Sequence, residues 1–286
     1  MSSALGAARE PRPLLILSSE ARDAGPERVG MIAEAGRRGF EVVAIAREER
    51  LAAVDTAASE CRADTIAVCG DGWLQATVAA VAAGRDLPFG CIPSAPGDLL
   101  AQDIGADGAD PRLALAGLLD APERRIDLAE VNGVAFVNYV ALGLEIAPAA
   151  SDEAHADLHH GRGTRRARVR RARPSGLRAV GHVEDRAGAP ALLVSNNRFA
   201  LHRLGIGARP RIDAGVLGVA ILSIRPEDRR RGSARRAWRE RASTRLELAA
   251  EGAIHAEVDG LARVFNPPLR FRILPHALRA LTSARV

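Results

Sequence analysis

The sequence predicts an α/β half with a parallel sheet followed by an all-β half, and three observations carry that reading. From Pro13 to about Asp98, short apolar runs alternate with helix-compatible stretches, the pattern of βαβ units. After Ala121-Pro122 the apolar runs follow one another without regular helices between them, the pattern of an antiparallel sheet or sandwich. The length of 286 residues agrees with two domains, and 47% apolar residues suffice for a substantial core. The boundary is placed at Pro122.

In chain order, Pro13 to Leu17 is the first strand, and Glu27 to Arg38 a helix through the spacing of Val29, Ile32 and Ala33. Glu41 to Ala46 is the second strand, followed by an Ala-rich helix from Glu49 to Cys61. Thr65 to Val68 is the third, ending in Cys69-Gly70-Asp71-Gly72 before a helix from Trp73 to Ala83. Leu87 to Ile92 is the fourth, ending in Pro93-Ser94-Ala95-Pro96-Gly97-Asp98 before another helix. In the second half, Arg125 to Val131, Ala135 to Leu142, Ala191 to Ser195, Val216 to Ser223, Ala253 to Val258 and Leu269 to Leu274 are strand-like. No internal repeat is visible.

Composition narrows the chemistry. All 40 basic residues are arginine, so mechanisms built on a lysine amine are excluded, and phosphate handling falls to backbone amides, arginine or metal. Cys61, Cys69 and Cys91 are odd in number and scattered, which argues against a disulfide framework and for a reducing, cytoplasmic setting. No basic start precedes an apolar stretch and no long uncharged apolar segment occurs, so a soluble or membrane-surface protein is expected. Charge is uneven: residues 1–128 hold 13 arginines against 20 acids, net −7, and residues 129–286 hold 27 against 15, net +12. Two segments cause this, Arg162 to Arg173 with seven arginines and Arg229 to Arg241 with seven. With almost no interleaved aromatics they do not favour nucleic acid. A basic amphipathic helix carrying Trp238 would suit an anionic membrane surface, the alternative being solvated loops.

Gly70-Asp71-Gly72 is the sharpest motif. Glycines between a strand and a helix let the backbone approach an anion, and the helix N-terminus offers unpaired amides. Asp71 can hold Mg²⁺ or bond a ribose; an ordinary βα turn is the bland alternative. Asp98 is placed to cap the next helix. The two loops lie on adjacent strands and together frame a cleft at the strand C-terminal ends. Asp259, before Gly260, can act as a general base if it faces that cleft, or simply form a turn. His155, His159 and His160 include an i, i+4 pair with zinc spacing in a polar, acid-rich stretch better read as surface. Ser195-Asn196-Asn197-Arg198 can bring amides to the cleft or form a polar turn.

In this order and spacing the motifs resemble the diacylglycerol kinase catalytic family, lipid kinases that share an architecture with NAD kinases. Cys69 to Trp73 stands at that family's Gly-Gly-Asp-Gly-Thr/Ser loop, and Pro93 to Asp98 at its Pro-x-Gly-Thr-x-Asn loop. Arg125-Ile126-Asp127, Val131-Asn132-Gly133, Phe136-Val137-Asn138, Leu142-Gly143, Ser195-Asn196-Asn197-Arg198, Arg209-Pro210-Arg211-Ile212-Asp213, Gly215-Val216-Leu217-Gly218 and Asp259-Gly260 continue the likeness over residues 12 to 281. The resemblance implies a three-layer α/β domain at 1–122, a β-sandwich at 123–274, and a return of 275–286 to the first domain. It implies ATP between the domains, held by Gly70, Asp71, Gly72, Trp73 and Asp98; Mg²⁺ at Asp213; a lipid substrate such as diacylglycerol; Asp259 as the catalytic base; a cytoplasmic, peripheral location with the arginine segments at an anionic membrane; and a homodimer as a compatible assembly.

The chain also departs from that family's pattern. Cys69 replaces a glycine, Trp73 a small hydroxyl residue, Ala95-Pro96 a Gly-Thr pair, and Asp98 an asparagine. Leu261 replaces the second acid of an Asp-Gly-Glu triplet, and Ala214 an aspartate before glycine. These changes predict weakened or lost phosphoryl transfer. The alternative is a catalytically degenerate nucleotide- or lipid-binding adaptor, with NAD kinase less favoured.

Overall fold

A computed structural model describes residues 10–19, 26–46, 51–94, 98–106, 110–148, 167–171, 177–179, 191–202, 205–224 and 236–282. The first part runs β1 (Arg12–Ser18), α1 (Pro26–Arg37), β2 (Glu41–Ile45), α2 (Leu51–Cys61), β3 (Ala63–Cys69), α3 (Gly72–Arg85), β4 (Pro88–Ile92), α4 (Leu99–Asp103) and α5 (Pro111–Leu118). Strands β2, β1, β3 and β4 pair in parallel in that order. Period-two alternation divides their side chains between two cores. Leu14, Ile16, Ile66 and Val68 pack with Val54 of α2 and Leu74, Val78 and Val81 of α3. Leu15, Leu17, Ala67 and Ile92 pack with Met31 and Ala35 of α1 and Leu115 and Leu118 of α5. The result is the expected helix–sheet–helix stack. It seats α5 so close to β4 that a Cβ on Gly90 would lie 2.6 Å from the Leu118 side chain.

The second part runs β5 (Glu123–Val131), β6 (Val134–Phe136), β7 (Tyr139–Leu142), β8 (Leu144–Pro148), β9 (Ala167–Arg171), β10 (Leu177–Ala179), β11 (Ala191–Asn196), β12 (Leu201–His202), β13 (Gly205–Ile206), β14 (Leu217–Ile224), β15 (Arg236–Ser243), β16 (Arg245–Ala250), β17 (Ile254–Val258), β18 (Leu261–Phe265) and β19 (Leu269–Leu281). A six-stranded antiparallel sheet has the order β15-β14-β11-β7-β17-β18. Its inward residues Val140, Leu142, Leu192, Val194, Val219 and Ile221 share a core with Ala129, Val131, Phe136, Leu248, Phe271 and Ile273 of β5, β6, β16 and β19. These are two sheets face to face. Its other face, with Tyr139, Leu193 and Leu222, packs on Leu144 and Ile206 of a small sheet ordered β12-β13-β9-β8.

Strand β19 joins the two parts. Leu269–Arg272 pair with β16, Arg279 and Ala280 lie parallel to Pro88 and Phe89 of β4, and nearly the whole strand runs antiparallel to β5. Hydrogen bonding therefore crosses residue 122: among the described residues, β5, β6, β10, β16 and β19 extend the parallel sheet while β5, β6, β16 and β19 also supply one layer of the sandwich.

Several elements differ from the sequence reading. The single run expected from Ala135 to Leu142 is two strands, broken at Val137 and Asn138 where the chain crosses to the second sheet. The run expected to stop at Leu274 continues to Leu281, its register with β5 shifting between Leu274 and Leu278. The segment around Trp238 is not a basic amphipathic helix. Arg236–Ser243 is an edge strand paired along its length with β14, and alternation turns Trp238 partly inward beside Leu222 while Arg239 and Arg241 are exposed. Residues 229–235, most of the Arg162 to Arg173 segment, and His155, His159 and His160 lie outside the described residues. Among the described residues no helix is long and apolar enough to cross a membrane.

The packing separates two glycines, one in a helix and one in a strand. A Cβ added to Gly84, near the end of α3, would meet nothing within 4 Å, so Gly84→Ala is expected to stabilise by up to about 1 kcal/mol through helix propensity. Gly90→Ala, against Leu118, is expected to destabilise by about 1 to 3 kcal/mol. Urea denaturation of the two variants checks the pair of signs.

Candidate functional site

The N-terminus of α3 opens at the C-terminal end of β3. Asp71 is its N-cap residue, with extended backbone (φ −71°, ψ 171°), and its carboxylate makes no capping bond to the helix. The first-turn amides at Gly72, Trp73 and Leu74 consequently have no intrahelical acceptor and carry the positive end of the helix dipole. Gly70 and Gly72 also answer to close packing. A Cβ on Gly70 would stand 2.7 Å from Leu74 Cδ2, and one on Gly72 would stand 2.8 Å from the Asp259 carbonyl oxygen. Gly72 thus lets the β17–β18 turn sit directly on the helix N-terminus. Trp73 turns into the α/β core, and its buried indole Nε1 has no hydrogen-bond partner among the described residues.

The two loops expected to frame the cleft are bonded to each other. Ser94 Oγ donates to the Gly70 carbonyl at 2.9 Å, and Gln75 Nε2 donates to the same carbonyl at 3.0 Å and to Asp98 Oδ2 at 2.6 Å. Asp98 Oδ1 accepts from the Ala101 amide at 3.1 Å, so Asp98 is the α4 cap as expected from sequence. Burial pushes its carboxyl up to about 6 against the pull of the Ala101 amide and Gln75. Residues 95–97 lie outside the described residues.

Asp259 and Gly260 form the two-residue turn between β17 and β18, both with positive φ (46° and 86°), the backbone a tight hairpin requires. The Asp259 side chain reaches back to the β6–β7 crossing. Its Oδ2 accepts from the Val137 amide at 2.7 Å, and Oδ1 from the amides of Asn138 at 3.0 Å and Tyr139 at 2.8 Å. The residue is only 4% exposed. Burial raises its pKa to about 7, opposed by these three amides and by the charge of Arg209. A carboxylate offers about four acceptor positions; the three amides leave one on Oδ2. Burial, together with Glu257 and Asp259, likewise holds the Tyr139 hydroxyl well above its ordinary range, and that hydroxyl donates to Glu257 at 3.0 Å.

Asp213 is not brought to this cleft as an open metal ligand. Arg124 Nη2 lies 2.9 Å from its Oδ2 and Arg211 Nε 3.1 Å from its Oδ1, and Arg124 foremost lowers its pKa. Two guanidiniums thus supply the positive charge that a divalent ion would bring. No group of three or more His, Cys, Asp or Glu among the described residues could hold a metal ion. Among the described residues, Asp213 so paired offers no open site for a protein-held Mg²⁺.

The residues that organise the site stand in motifs that carried the family resemblance, but the sequence reading assigned Asp127 and Arg209 no role of their own. Asp127, on β5 and 1% exposed, accepts from the His276 amide (2.9 Å), Asn197 Nδ2 (3.0 Å) and the Gly215 amide (2.6 Å). Asn196 Nδ2 donates to the Asp127 carbonyl at 2.9 Å. Arg209 bonds Asp103, Val137, Asn196 and Asn138. Local signals were Asn196 and Asn197, read as cleft amides or a polar turn, and Asp127, a carboxylate between the buried Ile126 and Leu128, because an unpaired acid is not tolerated in such a position.

The raised carboxyls fix a pH dependence. The folded protein keeps protons on Asp98 to about 6 and on Asp259 to about 7, whereas the unfolded chain releases them near 3.8. Stability from these groups is therefore full below about pH 4 and is lost as pH rises to about 7. Urea midpoints between those limits are expected to fall with pH in the wild type and to flatten in Asp98→Asn/Asp259→Asn.

Residues 20–131 match the family described as the diacylglycerol kinase catalytic domain. No curated protein sequence matches the chain. The fold is similar to a candidate diacylglycerol kinase from Bacillus anthracis str. Sterne, with TM-score 0.63 and 14% identity over 98% of this chain and 100% of that one. It is similar as well to a crystal structure of a diacylglycerol kinase from the same organism, with TM-score 0.61 and 13% identity over 98% and 99%. At such identities the likeness establishes the fold alone.

Proposed function

Taking the chain as a member of the diacylglycerol kinase catalytic family, we propose that it binds ATP at the N-terminus of α3 and transfers the γ-phosphoryl group, slowly, to a lipid hydroxyl such as that of diacylglycerol. The observation that carries this reading is the placement of Asp259: a buried carboxyl with a pKa of about 7, packed on Gly72 at the helix N-terminus. A group titrating near neutrality is suited to take a proton from a hydroxyl, and the remaining acceptor position on Oδ2 is where that hydroxyl would bond. The first-turn amides suit a phosphate. ATP supplies the transferable phosphoryl group. The chain's part is to hold its phosphates on amides, to orient the hydroxyl and to receive its proton. No step is assigned to a protein-held metal, since Asp213 is neutralised by Arg124 and Arg211.

In this reading residues 1–122 with 275–286 form the nucleotide half and 123–274 the lipid-facing half. The exposed Arg239 and Arg241 of β15 contribute to docking on an anionic membrane at the cytoplasmic face. The rate is low because Asp259 is closed in and Leu261 supplies no second acid. That closure favours a second reading, an adaptor that binds nucleotide or lipid without transfer.

Radiolabelled ATP with Mg²⁺ and diacylglycerol in anionic vesicles separates the two. Transfer is expected to be measurable, to fall with added salt, and to drop by about 10²-fold or more in Asp259→Asn. An ATP-dependent melting shift without transfer supports the adaptor. Neither transfer nor a melting shift contradicts both readings.

A further inference from the structure

Arg209 lies between β13 and β14 and opens the Arg209-Pro210-Arg211-Ile212-Asp213 run, in which nothing local marks it as a buried arginine. Its side chain is 1% exposed, as is that of its partner Asp103. The guanidinium spends its donors on fixed acceptors. Nε bonds Asp103 Oδ2; Nη1 bonds the carbonyls of Val137 at 2.6 Å and Asn196 at 2.9 Å; Nη2 bonds Asn138 Oδ1 at 3.3 Å. Its Cζ lies over the Phe199 ring, 4.9 Å from the ring centre. A cation this deep persists only where such compensation is nearly complete.

The partners give the residue its meaning. Asp103 ends α4, the helix capped by Asp98, whose carboxylate is tied through Gln75 to the Gly70 carbonyl. Val137 and Asn138 each face two ways: their amides serve Asp259, while the Val137 carbonyl and the Asn138 side chain serve Arg209. The guanidinium thus grips the peptide turn from the side opposite the carboxylate. A positive charge on the carbonyl side polarises that peptide group and strengthens its N–H as a donor. Arg209 also acts on Asp259 through its charge, against burial.

We propose that Arg209 is a positioning residue for Asp259: paired with Asp103, it fixes the turn at residues 137–139 so that three amides converge on the carboxylate, and it provides a permanent positive charge beside it. The assignment rests on the reading of Asp259 as the proton acceptor, but it is tested without turnover.

The test follows the Asp259 carboxyl by ¹³C NMR in aspartate-labelled protein across pH, together with hydrogen exchange of the 137–139 amides. Other groups around Asp259 are Tyr139 on β7, Glu257 on its own strand, bonded to the Tyr139 hydroxyl, and Asp71, which precedes Gly72 on the α3 side; all are unchanged in the variants. In Asp103→Leu/Arg209→Met the buried pair is replaced as a unit, leaving no orphan charge. Its Asp259 midpoint is expected to rise by about one pH unit or more. Arg209→Lys keeps the charge but loses the fork; its midpoint is expected to stay close to wild type while the 137–139 amides exchange at least about tenfold faster, as loss of roughly 1.4 kcal/mol of local protection requires. An unchanged midpoint in the folded double variant overturns the proposal. Should that variant fail to fold, unchanged exchange in Arg209→Lys overturns it. Loss of phosphoryl transfer with an Asp259 midpoint as proposed leaves this assignment standing and counts only against the kinase reading.

Discussion

The contact on which the rest of the site depends is the carboxylate of Asp259 on the amides of Val137, Asn138 and Tyr139. Three elements meet there that are distant in sequence: the β17–β18 hairpin carries the acid, the β6–β7 crossing supplies the amides, and α3 presents Gly72 against the same turn. Neither alternative to the bonded acid is cheap. An apolar residue at 259 would orphan three buried N–H groups, each at about 1 to 3 kcal/mol, and a Cβ at position 72 would push the turn off the helix N-terminus. Glycine and aspartate are demanded here by packing and by hydrogen bonding before any ligand is considered.

Asp127 repeats the device at the opposite end of the crossing, with donors from β19, the loop before β14 and Asn197. The register shift in β19 between Leu274 and Leu278 is what turns the His276 amide toward it. The α/β stack and the sandwich are therefore joined by a continuous sheet and by two buried carboxylates bonded mainly to backbone. Such bonds are directional and short, so they hold one relative placement of the two loops at the strand ends. The bonds of Gln75 and Ser94 to Gly70 extend that rigidity into the proposed phosphate-binding loop.

The first half of the fold was legible because it is made of local signals: apolar runs, Ala-rich helices, and Gly and Asp in the loops after β3 and β4. The same punctuation exposed Gly70, Asp71, Gly72, Asp98 and Asp259. Legibility failed where tertiary pairing decides. Arg236–Ser243 has too many arginines to look like a strand, yet a neighbour in β14 makes it one. Pro275 and His276 look like the end of a strand but mark a shift of register within β19. Arg209 and Asp103 are separated by more than a hundred residues, and nothing local distinguishes a buried arginine from a solvated one. The family resemblance implied Asp213 as a metal ligand, whereas Arg124 of β5 already holds it.

The central claim is that the helix N-terminus beside Asp259 is the place where a nucleotide's phosphates bind. Backbone amide shifts of ¹⁵N-labelled protein during titration with ATP test it most directly. The account predicts saturable changes that are largest at Gly72, Trp73 and Leu74 and extend to Val137, Asn138 and Tyr139. Saturable changes centred elsewhere, with these six amides unmoved, would contradict it.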